Sequence, residues 1–238
     1  MSIAEKLQTI AENEQKVYKA GQQSEYDRFW DEYQNYGAIT NYDNYFSGKG
    51  WTKKTFRPKY NMSPVSAYMM FRYNSTECDF VEWLNECGIS FDDSKNRNTQ
   101  YMYFGCLFTR IGTITFANLI SSGDTFGYCS NLHTIDKIIS TKNVTYSRTT
   151  FIGCEKLVNI TFDGEIGNSI TFQWSPLTAK SAISAITHLK NYSGTDSEFA
   201  NTLTLSSKTK TALEAEGATS PNGNTWAEYI KDIGWNLA

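Results

Sequence analysis

Apolar positions in the middle of the chain recur at a fixed interval. Phe126, Cys129, Leu132 and Ile135 return 25 residues later as Phe151, Cys154, Leu157 and Ile160. The shared frame is F-x-x-C-x-x-L-x-x-I. A looser copy runs from Phe104 and Cys106 to Ile111, Ile114 and Phe116. Alternating triplets at Ile89–Phe91, Ile114–Phe116, Ile160–Phe162 and Ile170–Phe172 read as strands. From Ile89 to Ile114, Ile135 and Ile160 the steps are 25, 21 and 25 residues. A unit of this size cannot bury its apolar face alone, so neighbouring units must stack. Parallel, adjacent strands are therefore expected at 111–116, 132–136 and 157–162, with Leu132, Ile135, Leu157 and Ile160 inside.

The flanks follow other patterns. Ile3, Leu7, Ile10 and Val17 lie on one helical stripe, continued by Glu14 and Gly21 in heptad-like spacing. Tyr26, Phe29, Trp30, Tyr33 and Tyr36 form a second stripe. Residues 1–36 thus read as a helical arm, suited either to lying on its own domain or to self-association. Residues 37–66 are polar, aromatic and turn-rich and read as an irregular connector. Glu77–Cys87 reads as a short helix stopped by Gly88. Ser175 and Pro176 read as an N-cap followed by proline at the first helical position. Ile183, Ile186 and Leu189 would be that helix's buried stripe. Thr202–Leu205 reads as a strand, Ser206 as the cap of a helix ended by Gly217, and 225–233 as a last helix before a strand at Trp235–Leu237. Four segments result: 1–36, 37–66, a stacked region at 67–174, and a helix and strand cap at 175–238.

Composition narrows the functional classes. The formal net charge is −3, and no Lys/Arg run exceeds two residues. No basic footprint for nucleic acid is present, and no apolar stretch approaches the ~20 residues of a membrane span. The start of the chain has no apolar leader segment, so no signal peptide is expected. The five cysteines are odd in number and include no C-x-x-C. Cys106, Cys129 and Cys154 are expected to be reduced, metal-free packing residues, and a serine at 154 is expected to be a buried polar atom without a partner. His133 and His188 have no ligand at metal-binding spacing. Asp92, Ser94 and Asn96 match three positions of a calcium loop, but Arg97 and Tyr103 stand where glycine and glutamate are needed. Glu82 and Glu86 read as a solvated helix face. Gly48-Lys49-Gly50 lacks the spacing of a phosphate loop. No catalytic constellation, cofactor site or metal site is expected, and the chain reads as a non-enzyme.

The repeat frame resembles the BspA-like leucine-rich repeats of bacterial surface proteins, over roughly 68–175. The flanking segments Ala4–Tyr18 and Phe46–Tyr60, and the closing motifs Leu203-Thr-Leu205 and Gly234-Trp-Asn-Leu237, are similar to parts of proteins from phages and prophages of Gram-positive bacteria. This resemblance implies an α+β fold, a leucine-rich-repeat β-solenoid with an N-terminal helical arm and an α/β C-terminal cap. In function it implies a virion protein of the tail or baseplate, made in the bacterial cytoplasm. Its partners would be copies of itself, as a trimer, and other virion proteins, with a host-surface protein or glycan beyond them. Neither nucleic-acid binding nor membrane insertion is implied. Within the repeat frame, Cys106 is out of register, and Trp174-Ser175-Pro176 replaces the cysteine turn. Two other readings remain: a cell-surface adhesin of the same repeat type, which needs export, and an enzyme, which needs a catalytic constellation.

Overall fold

The computed structural model describes residues 66–75, 77–87, 95–116, 122–140 and 149–238, the short strands at 61–62 and 90–91, and single positions 13, 93 and 146. The expected arm at 1–36 and nearly all of the connector at 37–66 lie outside the described residues.

Among the described residues, eight strands and four helices form an α+β arrangement. Strands β1 (Asn61–Met62) and β2 (Ser90–Phe91) form a small parallel pair. Helix α1 (Phe80–Cys87) lies between them in sequence. Its N-cap is Asp79, whose Oδ1 accepts the amides of Val81 at 2.8 Å and Glu82 at 3.1 Å. Strands β3 (Arg110–Phe116), β4 (Thr134–Ser140) and β5 (Asn159–Asp163) form a parallel sheet in that order. Ile111, Ile135 and Ile160 stand side by side in it, and Leu132 and Leu157 are buried just ahead of β4 and β5. A second parallel sheet contains β6 (Ile170–Phe172), β7 (Asn201–Leu205) and β8 (Trp235–Leu237).

This architecture corrects the leucine-rich-repeat β-solenoid. Among the described residues there is no continuous or closed sheet, only two separate three-stranded parallel sheets and the small pair. The physical reason lies at the edges of β3 and β5. Beyond β5 comes a helix, α2 (Ala179–Thr187), rather than another strand. Its Ser181 and Ser184 hydroxyls accept the edge amides of Ile160 and Phe162 at 3.0 and 2.9 Å. On β3 the buried Asp93 carboxylate accepts the amide of Thr115 at 2.8 Å. Edge groups satisfied by side chains no longer template a further strand. The α+β class itself stands.

The repeat does organise the turns ahead of the strands. Phe71, Tyr103, Phe126 and Phe151 stack nearly face to face, with ring centroids 5.4–5.5 Å apart. Phe172 in β6 continues the row at 4.9 Å. Backbone bonds link the same turns: Phe71 N donates to Met102 O, Tyr103 N to Thr125 O, and Phe126 N to Thr150 O. Three residues after each ring stands a small polar group aimed at the preceding turn. Cys106 Sγ donates to Phe71 O, Cys129 Sγ to Tyr103 O, and Cys154 Sγ to Phe126 O, at 2.6–3.0 Å. Ser175 takes the same place, its Oγ donating to Cys154 O at 3.1 Å.

Two corrections follow from this ladder. Cys106 is in register after all, because its partner ring is Tyr103 and not Phe104. Ser175 is not a helix cap: Thr178 caps α2 by accepting the amide of Ser181. The remaining helices start and stop near the expected places. Ser206 caps α3 (Ser207–Glu216), which ends at Gly217 in the left-handed region. Thr225 and Glu228 form a capping box on α4 (Trp226–Asp232).

The serine at 175 also revises the expectation for Cys154→Ser. A hydroxyl at 154 would find the Phe126 carbonyl as Ser175 finds its own partner. The variant is expected to lose no more than about 1 kcal/mol, against roughly 1–3 kcal/mol for an unpaired buried hydroxyl. Urea denaturation would read the difference, and a loss at the upper end would mean the carbonyl bond does not form.

A candidate contact surface

The residues that looked most like chemistry in the sequence do not converge. His133 is exposed, with Nδ1 on the Asn131 carbonyl at 2.7 Å; His188 caps α2, with Nδ1 on the Ser184 carbonyl. In the calcium-like loop, Asp93 is committed to the Thr115 amide, and Asn96 is buried with its Oδ1 on the amide of Asn98. Asp92 and Ser94 lie outside the described residues. Glu82 is exposed on α1. Cys78, Cys106, Cys129 and Cys154 are buried free thiols. Burial raises the pKa of the last three, that of Cys129 to about 12, which keeps them protonated and makes them poor nucleophiles. Among the described residues no group of His, Cys, Asp or Glu is arranged to hold a metal ion. No described helix is long and apolar enough to cross a membrane.

The tightest charge cluster is an ion-pair bridge. Arg110, at the start of β3, reaches Asp79 with Nη1 and Asp136 with Nε and Nη2. Burial pushes the Asp79 carboxyl up, but hydrogen bonds from Arg110, Glu82 and Val81 and the guanidinium charge outweigh it and leave the carboxyl depressed. Three of the guanidinium N–H groups and both carboxylates are engaged with one another. The cluster therefore ties α1 to β3 and β4.

A groove of about 610 Å³ lies between α3 and α4. Leu205, Leu213, Trp226, Ile230 and Leu237 line it, with Lys210 and Glu214 also in the wall.

The distinctive surface is a row of aromatic rings on the outer side of the ring ladder. Tyr73 is 51% exposed and Tyr128 is 55% exposed. Phe104 lies between them, with centroids 5.6 Å from Tyr73 and 5.3 Å from Tyr128. Tyr101 packs edge to face on Phe104 at 5.4 Å, and Tyr68 on Tyr101 at 6.2 Å. The Arg72 guanidinium sits over Tyr73, Tyr101 and Phe104 at 4.6, 5.7 and 5.5 Å. Its Nη2 also donates to the Tyr73 hydroxyl at 3.2 Å.

The local sequence builds this row. Each ring leans over a glycine of the next turn, where a methyl group would collide: Tyr73 over Gly105, Phe104 over Gly127, and Tyr128 over Gly153. Gly105 and Gly153 are also left-handed, as are the nonglycine residues Tyr73, Tyr101, Asp124 and Tyr128. Backbone bonds hold those turns: Tyr73 N donates to Phe104 O and Tyr128 N to Ile152 O. The rings are thus presented in fixed positions from a hydrogen-bonded backbone. Sequence reading missed the row. A usable signal was present in the residues beside each spine ring: Arg72 and Tyr73, Phe104 and Gly105, Gly127 and Tyr128, then Ile152 and Gly153, with large residues set against glycines.

The inner ladder offers a contrast. Tyr103 occupies a spine position whose other occupants are phenylalanines, and its hydroxyl is buried without a hydrogen-bond partner. Burial, and then the Asp93 charge, push its ionisation well above the usual tyrosine range. Tyr103→Phe removes only that oxygen. It is expected to stabilise the fold by about 1 kcal/mol, seen as a higher urea midpoint. A lower midpoint would show that the hydroxyl is satisfied in solution.

Comparison with known proteins gives no relative for this arrangement: no family model, no curated protein and no solved structure matches the chain.

Proposed function

We propose that this chain is a non-enzymatic interaction protein of a virion, a tail or baseplate component that contacts the host surface. The observation that carries the contact is the exposed ring row from Tyr73 to Tyr128. Tyrosine and arginine are the side chains most used as binding anchors, because they present large area with few rotatable bonds. These anchors are ordered before any partner arrives, so contact costs little side-chain entropy. The virion setting rests on the resemblance of segments 4–18 and 46–60 and of the closing motifs at 203–205 and 234–237 to phage proteins. In this reading, residues 2–36 dock the chain to other virion proteins and to copies of itself, as a trimer.

The test uses particles released from cells whose prophage carries this sequence. Antibody against the chain is expected to label the tail end of purified particles, and the purified chain to bind host cells. A chain missing from purified particles but present in the wall fraction of uninfected cells would replace this reading with the adhesin.

A further inference from the structure

We propose that the ring row is a binding site for a neutral polysaccharide chain; this rests on the host-contact reading above and names the chemistry contacted. Three features of the row lead there. The first is its shape. Tyr73, Phe104 and Tyr128 follow one another at 5.6 and 5.3 Å, close to the advance of one pyranose unit along an extended polymer. Successive rings are inclined at 75° and 65°, so the line alternates in ring orientation, and a linear ligand can lie along it. Two half-exposed rings and three less exposed ones offer on the order of 400 Å². A standard protein interface takes about 800 Å² from each side, so the row is small for a protein partner.

The second feature is unspent polar side chains beside the rings. The Gln100 amide lies against Gly123, and Asp124 lies beside the Phe104 ring at Gly127. Neither side chain makes a hydrogen bond or ion pair among the described residues, and both are partly exposed. Rings for the apolar faces of a sugar, with a planar amide and a carboxylate for its hydroxyls, are the two kinds of group that saccharide recognition needs. The third feature is charge. Arg72 is held by three rings and the Tyr73 hydroxyl. A nucleic acid or anionic wall polymer would need several free cations along its path. Among the described residues the row supplies one cation, Arg72, already held by its rings, so the ligand it fits is uncharged.

The experiment measures binding of the full chain to host cells before and after protease treatment of the cells. Competitors are neutral polysaccharide from the walls of those cells, wall teichoic acid, and a dT20 oligonucleotide. Binding is expected to survive protease and to be competed by the neutral polysaccharide alone. Combined Phe104→Ala and Tyr128→Ala substitution should weaken it at least about tenfold, the loss of two rings' stacking. Asp124→Asn, which keeps the shape, should weaken it less and without any change in the thermal transition. If the double variant unfolds, Tyr128→Ala alone carries the test, since that ring is more than half exposed. Binding abolished by protease, or competed only by teichoic acid or dT20, would overturn the polysaccharide assignment while leaving host contact standing. No binding to cells at all would overturn both.

Discussion

Gly164→Ala is expected to cost more than about 3 kcal/mol and to lower the melting temperature by roughly 6–12 °C for a chain of this size. Gly164 directly follows β5, with φ at +107°, a conformation that side-chain-bearing residues rarely adopt. It also passes against the end of β4. A Cβ at 164 would overlap the Ser140 carbonyl oxygen and stand 2.8 Å from the carbonyl carbon. Both atoms belong to backbone, so no rotamer change can relieve the overlap. Either β4 and β5 separate at this end or the loop re-forms. Gly194 supplies the control: its φ is +69°, and nothing lies within 4 Å of the added carbon. Gly194→Ala should cost only the left-handed strain, about 1 kcal/mol. Thermal unfolding followed by circular dichroism separates the two, and equal, small losses would contradict the close approach at Ser140.

The second large effect is expected at Phe126. Its ring is fully buried between Tyr103 at 5.5 Å and Phe151 at 5.4 Å, within 8° of parallel to both, and it is tilted against Phe116. Phe126→Ala removes two stacked contacts and leaves a cavity that rigid turns cannot close. A loss of about 3–5 kcal/mol is expected. Tyr128, two residues on, lies on the outer side of the same turn, so Tyr128→Ala should change stability by less than about 1 kcal/mol. Urea titrations of both variants check the contrast. A mild Phe126→Ala would show that the ring column is not what holds the turns together.

The two substitutions, two residues apart, also mark where the sequence can and cannot be read. The spacing of Phe126, Cys129, Leu132 and Ile135 and its return at Phe151 placed β4 and β5 side by side with their isoleucines paired. A repeating apolar pattern dictates which residues must share an interior, and that requirement is local. Helix termini were equally legible at Ser206 and Gly217, because a cap is satisfied within a few residues of itself. Less could be read where neighbouring aromatics compete. At Tyr103 and Phe104 either ring could have entered the spine, and the sequence favoured the phenylalanine, which has no hydroxyl to bury. The backbone chose otherwise: Gly105 must face Tyr73 of the preceding turn, and that puts Tyr103 inside and Phe104 outside.

The same limit hid the contact row. Whether an aromatic residue is core or surface depends on what the next turn places beneath it, and that turn lies 23 to 32 residues away in this chain. Residues 170–172 read equally well as one more strand of the repeat sheet. In the fold they belong to a different sheet, because the side chains of Ser181 and Ser184 occupy the edge of β5. Periodicity along the chain states which residues need burial and which turns need glycine. How far a sheet extends, and which rings remain outside, depend on hydrogen bonds between groups about twenty residues apart, whose partners have no signature in the local pattern.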